Sequence, residues 1–176
     1  LGAFALKQQD AQEFNPENIY SMGTAAIIYK MVKLFDGSVR LLLQGMERIR
    51  IQRFSSETPY LKAEIELVED RMEDSEREEI EALMLNIRNT FQRIMMLSPH
   101  LPSELGAMLA GIEEPGSLAD LLASNLNIPI QEKQEILETL SILERLKKVF
   151  VKLNHQLEVL ELGNKIQSEV KEGIDK

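Results

Sequence analysis

Residues 20–51 read YSMGTAAIIYKMVKLFDGSVRLLLQGMERIRI. Two runs rich in apolar and β-branched residues, 24–35 and 38–44, flank Asp36-Gly37, a dipeptide whose easy access to positive φ suits a two-residue hairpin turn. Gly23 precedes the first run and Gly45 follows the second, where a missing side chain permits a bend. A third run, 46–54, follows at once. There Arg48, Arg50 and Gln52 alternate with Ile49, Ile51 and, less strictly, Phe54, the period of two of a half-buried strand with its arginines toward solvent. The front of the chain is therefore expected to be a compact antiparallel sheet or small barrel.

Outward from the hairpin, residues 1–8 read as a strand, and 10–18 as a loop with a turn signal at Asn15-Pro16. A native chain normally begins with Met, so Leu1, already inside a strand-like run, reads as the middle of something larger. Residues 55–59 form a turn. Beyond it Leu61, Ala63, Ile65 and Leu67 alternate with Lys62, Glu64 and Glu66, the clearest alternation in the sequence.

From 71–74 onward the period becomes helical. Ser75-Glu76-Arg77-Glu78 has the form of a capping box, and the stripe Ile80, Leu83, Met84, Ile87, Phe91, Ile94 and Leu97 predicts an amphipathic helix ending before Ser98-Pro99. Short helices are expected over 103–110, over 117–126 with Ser117 as cap, and over 130–139. Ser141-Ile142-Leu143-Glu144 is a second capping box, and no proline follows it. A helix over 141–172 would reach nearly 50 Å at ~1.5 Å per residue. Its stripe of Leu146, Val149, Phe150, Leu153, Leu157 and Leu160 drifts to Val159, Leu162, Ile166, Val170 and Ile174, leaving the later part little to pack against. The expected organisation is α+β: a β-rich part over 1–72, then a helical part over 73–176 with a long helix from about 141.

Composition narrows the function classes. The 176 residues are 44% hydrophobic and 28% charged, ordinary for a soluble globular chain. A net charge of -9 and a pI near 4.9 disfavour nucleic acid and anionic membranes as main partners. There is no cysteine, which excludes disulfides and thiolate metal sites and makes the cytoplasm the default compartment. No apolar run reaches the ~20 residues that span a bilayer.

Tyr20, Gly23-Thr24, Ala26, Ile28, Asp36-Gly37, Gly45 and Arg48 fall in the order Y-x-x-G-T-x-A-x-I, D-G, G-x-x-R. Further on come Leu118-Ala119-Asp120-Leu121, Glu132-Lys133-Gln134-Glu135-Ile136-Leu137-Glu138 and Glu144-Arg145-Leu146. In this order and spacing the set resembles the amino-terminal domain of the ATP-dependent protease Lon, over essentially the whole chain; Met22 stands where that family more often has Val. The resemblance implies a small PUA-like β-barrel or sheet followed by a helical bundle. It also implies that a first strand and a helix precede Leu1. By resemblance this is a non-catalytic substrate-recognition and assembly domain. The parent would be a homohexameric, ATP-dependent serine protease of misfolded and regulatory proteins. Partners would be unfolded or damaged proteins and other Lon subunits, with ATP and Mg confined to the parent's ATPase domain. The alternative is a stand-alone Lon-like adaptor reading a peptide or small ligand. A coiled-coil scaffold fits less well, because the drifting stripe and Gly163 do not sustain a heptad seam.

No stretch has the form G-x-x-x-x-G-K-[ST]; Gly163-Asn164-Lys165 holds only its last fragment, inside a predicted helix. No serine has the Lon nucleophile's sequence context. His100 and His155 are the only histidines, and zinc would need carboxylates beside them. Glu76, Glu78, Glu79 and Glu81 suit a helix start, where the macrodipole favours negative charge. Arg48, Arg50 and Arg53 read as a solvated strand face, with an anion-binding patch as the sharper reading. The feature left to carry function is apolar. Met84, Met95, Met96 and Met108 gather with Leu97, Leu101 and Leu105 around the end of the first long helix, and methionine adapts to varied apolar partners. Met84 and Met108 fit core positions. The candidate substrate contacts are Met95, Met96, Leu97, Leu101 and Leu105.

Overall fold

The computed structural model describes residues 1–10 and 15–174. They form two compact units: Leu1–Glu69 together with Ile130–Glu138, and Asp70–Pro129 together with the chain from Thr139 onward.

The first unit is a four-stranded antiparallel sheet in the order β1 (Gly2–Ala3), β2 (Met22–Lys33), β3 (Val39–Ser56) and β4 (Lys62–Val68). The strand expected over 1–8 contracts to β1 and an isolated bridge between Leu6 and Ile19. Asn15 caps a turn of 3-10 helix at Pro16–Asn18, as its Asn-Pro signal suggested, and the rest of the expected loop lies partly outside the described residues. The hairpin between β2 and β3 closes with a three-residue loop, not the expected two. The Leu34 N–H donates to the Ser38 carbonyl at 2.8 Å and the Gly37 N–H to the Leu34 carbonyl at 3.1 Å. Gly37 takes φ 85°. A type I turn followed by one left-handed residue satisfies the strand twist, so the glycine serves the third loop position. Asp36 Oδ1 accepts from the Ser38 N–H and hydroxyl at 2.9 and 2.6 Å, which fixes the turn.

The second and third expected strands are one. β3 runs through Gly45, and the pairing passes from Ala25↔Glu47 to Ala26↔Gly45, so Met46 is an extra residue. The bend that glycine permits is thus a bulge within a continuous ladder. Arg50 and Arg53 do not simply face solvent: they pair across to β4 with Glu66 at 2.9 Å and Glu64 at 2.8 Å. The alternating face of β4 is also more open than its pattern suggests, with Leu67 67% exposed. The core of this unit is small, formed by Met22, Ala26, Ile49 and Ile136. Ile136 belongs to α4 (Ile130–Glu138), which is held by two long-range bonds. The buried Gln134 amide donates to the Met22 carbonyl at 3.0 Å, and Arg48 Nε donates to the Leu137 carbonyl at 3.0 Å.

The second unit is helical. α1 (Arg77–Leu97) buries Ile80, Met84, Ile87, Phe91 and Ile94 of the expected stripe, and leaves its Leu83 and Leu97 half-buried. The expected Ser75 box does not form: the N-cap of α1 is Glu76, with no side-chain cap bond, and the capping box belongs to the 3-10 turn at Asp74–Glu76 that leads in, where the Glu76 carboxylate accepts from the Glu73 N–H at 3.1 Å. α2 (Ser103–Gly111) follows, then α3 (Pro115–Asn125). α5 (Ile142–Ile174) is entered through the expected second cap, where the Glu144 N–H donates to Ser141 Oγ at 3.3 Å. Leu146, Val149, Leu153 and Leu157 are buried, and from 158 to 171 no side chain of α5 is.

The cap of α3 is Glu114 and not Ser117: its carboxylate accepts from the Gly116 N–H at 2.9 Å and from the Ser117 N–H. Pro115 at the first helical position brings a pre-set φ and needs no partner for a missing N–H. Burial is the largest single influence on the Glu114 carboxyl and pushes its pKa up. The hydrogen bonds from Ser117 and Gly116 together outweigh it and hold the pKa below 4.5. A depressed native pKa adds stability that is fully present above the unfolded value and is lost as pH falls through the native one. Glu114→Gln is therefore expected to cost about 1 kcal/mol at pH 7, the usual worth of a cap. It should also remove part of the wild-type stability loss below pH 4.5, in urea unfolding followed across pH 7 to 3.

Candidate functional site

An apolar hollow opens in the helical unit. After α1, the Ser98 carbonyl accepts from the Leu101 N–H at 3.0 Å and the Pro102 carbonyl from the Leu105 N–H at 3.1 Å, turning the chain back beside α1. The hollow has a volume of about 270 Å³. Phe91 of α1, Leu122 of α3, Leu126 and Leu153 of α5 are buried lining residues, while Leu101, Leu105 and Met108 are partly exposed ones. Glu104, Asn125 and Gln156 add the polar groups. Rigid helices thus supply the buried part of the wall, and a short helix with its preceding turn supplies the accessible part.

Of the sequence-predicted contacts, Leu101 and Leu105 line this hollow. Met95, Met96 and Leu97 sit at the end of α1 and are not among its lining residues. Met96 is 75% exposed, whereas Met95 and Leu97 are half-buried. Met95 lies against α2, since a side chain at Gly106 would meet its terminal methyl at 3.8 Å. Met84 is core, as its position implied, but Met108 is not: it is 56% exposed and lines the hollow. In so short a helix only Leu109 finds full cover.

Sequence reasoning missed a second apolar surface, in the sheet unit. Tyr29, Met31, Phe35 and Leu42 of the hairpin are all strongly exposed. Alternation marks which residues share a face, and it does not tell whether anything covers that face. The three arginines do not form a free anion patch, because Arg50 and Arg53 are paired with Glu66 and Glu64 and Arg48 is bonded to Leu137. Among the described residues no group of three or more His, Asp or Glu could hold a metal ion, and no helix is long and apolar enough to cross a membrane.

The described residues thus carry an accessible apolar hollow and an exposed apolar hairpin on an α+β fold. Residues 1–155 match the family model of the ATP-dependent protease La (LON) substrate-binding domain, and the chain belongs to that family. It is 48% identical over 165 residues to the Lon protease of Desulfosudis oleivorans, covering 93% of this chain and 20% of that one. With the Lon protease of Dictyoglomus thermophilum it shares 43% identity over 176 residues, 100% of this chain and 22% of the relative. The chain therefore spans about one fifth of the length of the curated relatives it matches. Among solved structures, the N-terminal domain of the Mycobacterium avium complex Lon protease aligns with a TM-score of 0.66 at 20% identity, over 80% of this chain and 74% of that one, a likeness of fold.

Proposed function

We propose that this domain takes hold of exposed apolar segments of misfolded or regulatory proteins and presents them to the ATPase and serine-peptidase parts of a Lon protease. The observation that carries the reading is the accessible apolar hollow, with Leu101 and Leu105 in its wall and the exposed Met96 on the neighbouring end of α1. Met95 and Leu97 complete the proposed contact set. Met96 and Met108 suit many partners, because an unbranched thioether repacks at little cost. Binding of many sequences precludes tight complementarity, so each site should be weak. A homohexamer of such domains in the cytoplasm would gain by avidity. The exposed distal stripe of α5, which includes Leu162 and Ile166, would serve subunit pairing.

The test is fluorescence anisotropy of a labelled client protein, unfolded and folded, titrated with this chain at several salt concentrations. Preference for the unfolded form should persist at high salt. Leu101→Asp should weaken it about tenfold or more, since one buried leucine side chain contributes roughly 1.5–3 kcal/mol, and Met96→Asp should weaken it less. Equal affinity for the folded and unfolded client would end the reading.

A further inference from the structure

The hollow is apolar in its walls but carries one formal charge among its lining residues, Glu104. Glu104 lies in the first turn of α2 and is exposed. A carboxylate there is ordinarily explained by the helix macrodipole, which favours negative charge in the first turn, by side-chain capping or by an ion pair. The last two do not apply, and the first leaves the carboxylate free to meet a cation from outside. α2 has no side-chain cap, its N-cap being Pro102, whereas the carboxylate of Glu114 at the start of α3 accepts from two backbone N–H groups. Among the described residues Glu104 also has no ion-pair partner. None of the lining residues is cationic. Arg93, on the same helix as Phe91, is paired with Glu161 of α5, and Lys152, next to Leu153, has a partner of its own. The chain as a whole carries -9. Among the described residues, no ion pair therefore offsets the Glu104 charge at the hollow.

Size bears on the same point. A dry apolar cavity of about 150 Å³ is enough to take a benzene ring, so a hollow of about 270 Å³ has room for one leucine, methionine or phenylalanine side chain with the start of its neighbour. That neighbour would meet Glu104.

We propose that the hollow selects client segments in which a bulky apolar residue stands beside a lysine or arginine, the apolar side chain entering between α1, α2, α3 and α5 and the cation pairing with Glu104. This rests on the client-binding reading above and deepens it, adding a charge rule to an apolar one. A segment with an acidic residue in that place brings like charges together and is disfavoured. Exposed ion pairs are weak, so the expected preference is about threefold for a basic over a neutral neighbour, with a similar loss for an acidic one. It should shrink as salt rises, because the charges are accessible to counter-ions.

The experiment uses the 176-residue chain and four labelled peptides of equal length. Three carry a Leu-Phe centre flanked by Lys, Ser or Glu, and the fourth has a Ser-Gly centre flanked by Lys. The expected order of affinity is Lys, Ser, Glu for the apolar centres, with the polar-centred peptide weakest. The spread should vanish in Glu104→Gln and reverse in Glu104→Lys, both exposed changes that leave the packing intact. Equal binding of the three apolar peptides, or a Lys preference that survives Glu104→Gln, would overturn the charge rule and leave the client reading standing. Tight binding of the polar-centred Lys peptide would instead show adsorption to an acidic chain, and overturn it too. Failure of all three apolar peptides to bind would remove the client reading and the charge rule together.

Discussion

Arg145→Met should cost the helical unit about 3 kcal/mol, the low end of what removing one partner of a buried ion pair does. The Arg145 side chain is fully buried. Its two terminal nitrogens grip the Asp70 carboxylate, one of them at 2.9 Å, its Nε donates to the Thr139 carbonyl at 2.8 Å, and Asp120 stands 3.5 Å away. The backbone around it is paired as well: the Arg71 N–H donates to the Leu140 carbonyl at 2.8 Å, and the Ile142 N–H to the Arg71 carbonyl at 2.9 Å. One guanidinium thus joins residue 70, residue 139 and α3 at the foot of α5. Methionine keeps an unbranched apolar stem and loses every donor. Asp70 is 28% exposed and can recover some hydration, which is why the low end is expected. The mirror change, Asp70→Leu, leaves the guanidinium buried without its main counter-charge and should cost as much or more. The double variant should cost clearly less than the two added together, as coupled neighbours do. Urea unfolding followed by far-ultraviolet circular dichroism would measure this, since most helices belong to this unit and the chain has no tryptophan. A loss under about 1 kcal/mol for Arg145→Met would make the cluster a surface-like ion pair.

Arg145 also shows where sequence reasoning stops. The Glu144-Arg145-Leu146 motif was legible as part of a resemblance, but nothing in the local pattern distinguishes a buried arginine from a solvated one. Its partners lie 75 and 25 residues away. Local signals fared better: Asp36-Gly37 gave the hairpin, Ser141 the start of α5, and the stripe from Ile80 to Ile94 the buried face of α1. Errors arose where two local devices compete for one job. Ser75 and Ser117 are good caps by type, yet Glu76 and Glu114 are the side chains that meet the free N–H groups. Gly45 reads equally as a strand end or as a bulge, and only the partner strand decides. For the candidate site, Leu101 and Leu105 could be named because proline and the end of a helix bracket them. Met108 groups with them in the sequence but reads there as core, and Leu122 and Leu153 could not be joined to them, since the hollow is made by packing four helices.

Gly23→Ala should destabilise the sheet unit by about 2 kcal/mol, although the same change at most strand positions is mild or favourable. Two effects oppose each other. Gly23 does not have a positive φ, so alanine could adopt its backbone conformation, and the loss of unfolded-state freedom would then stabilise by about 0.4–1 kcal/mol. Space decides otherwise. A Cβ at Gly23 would lie 2.3 Å from the Ala3 carbonyl oxygen and 2.4 Å from a ring carbon of Phe4. A ring can swing aside; a backbone oxygen moves only with its strand. Relieving the clash means shifting β1 off β2, and overpacking of this kind costs about 1–3 kcal/mol. The Phe4 ring also crowds Gly2, at 2.6 Å from a Cβ there, so one aromatic covers two glycines of adjacent strands. This is the physical content of the glycine in the Y-x-x-G-T signature: it leaves room for a neighbouring strand. Gly163→Ala provides the internal contrast, because nothing lies within 4 Å of a Cβ there and the residue is inside α5. That change should stabilise by up to about 1 kcal/mol through helix propensity. Hydrogen exchange locates the effect, since the Ala26 N–H donates to the Leu1 carbonyl at 2.7 Å and should lose protection in Gly23→Ala and keep it in Gly163→Ala. If Gly23→Ala left both stability and that protection unchanged, β1 would be tolerant of displacement and the glycine's role would lie elsewhere than in strand packing.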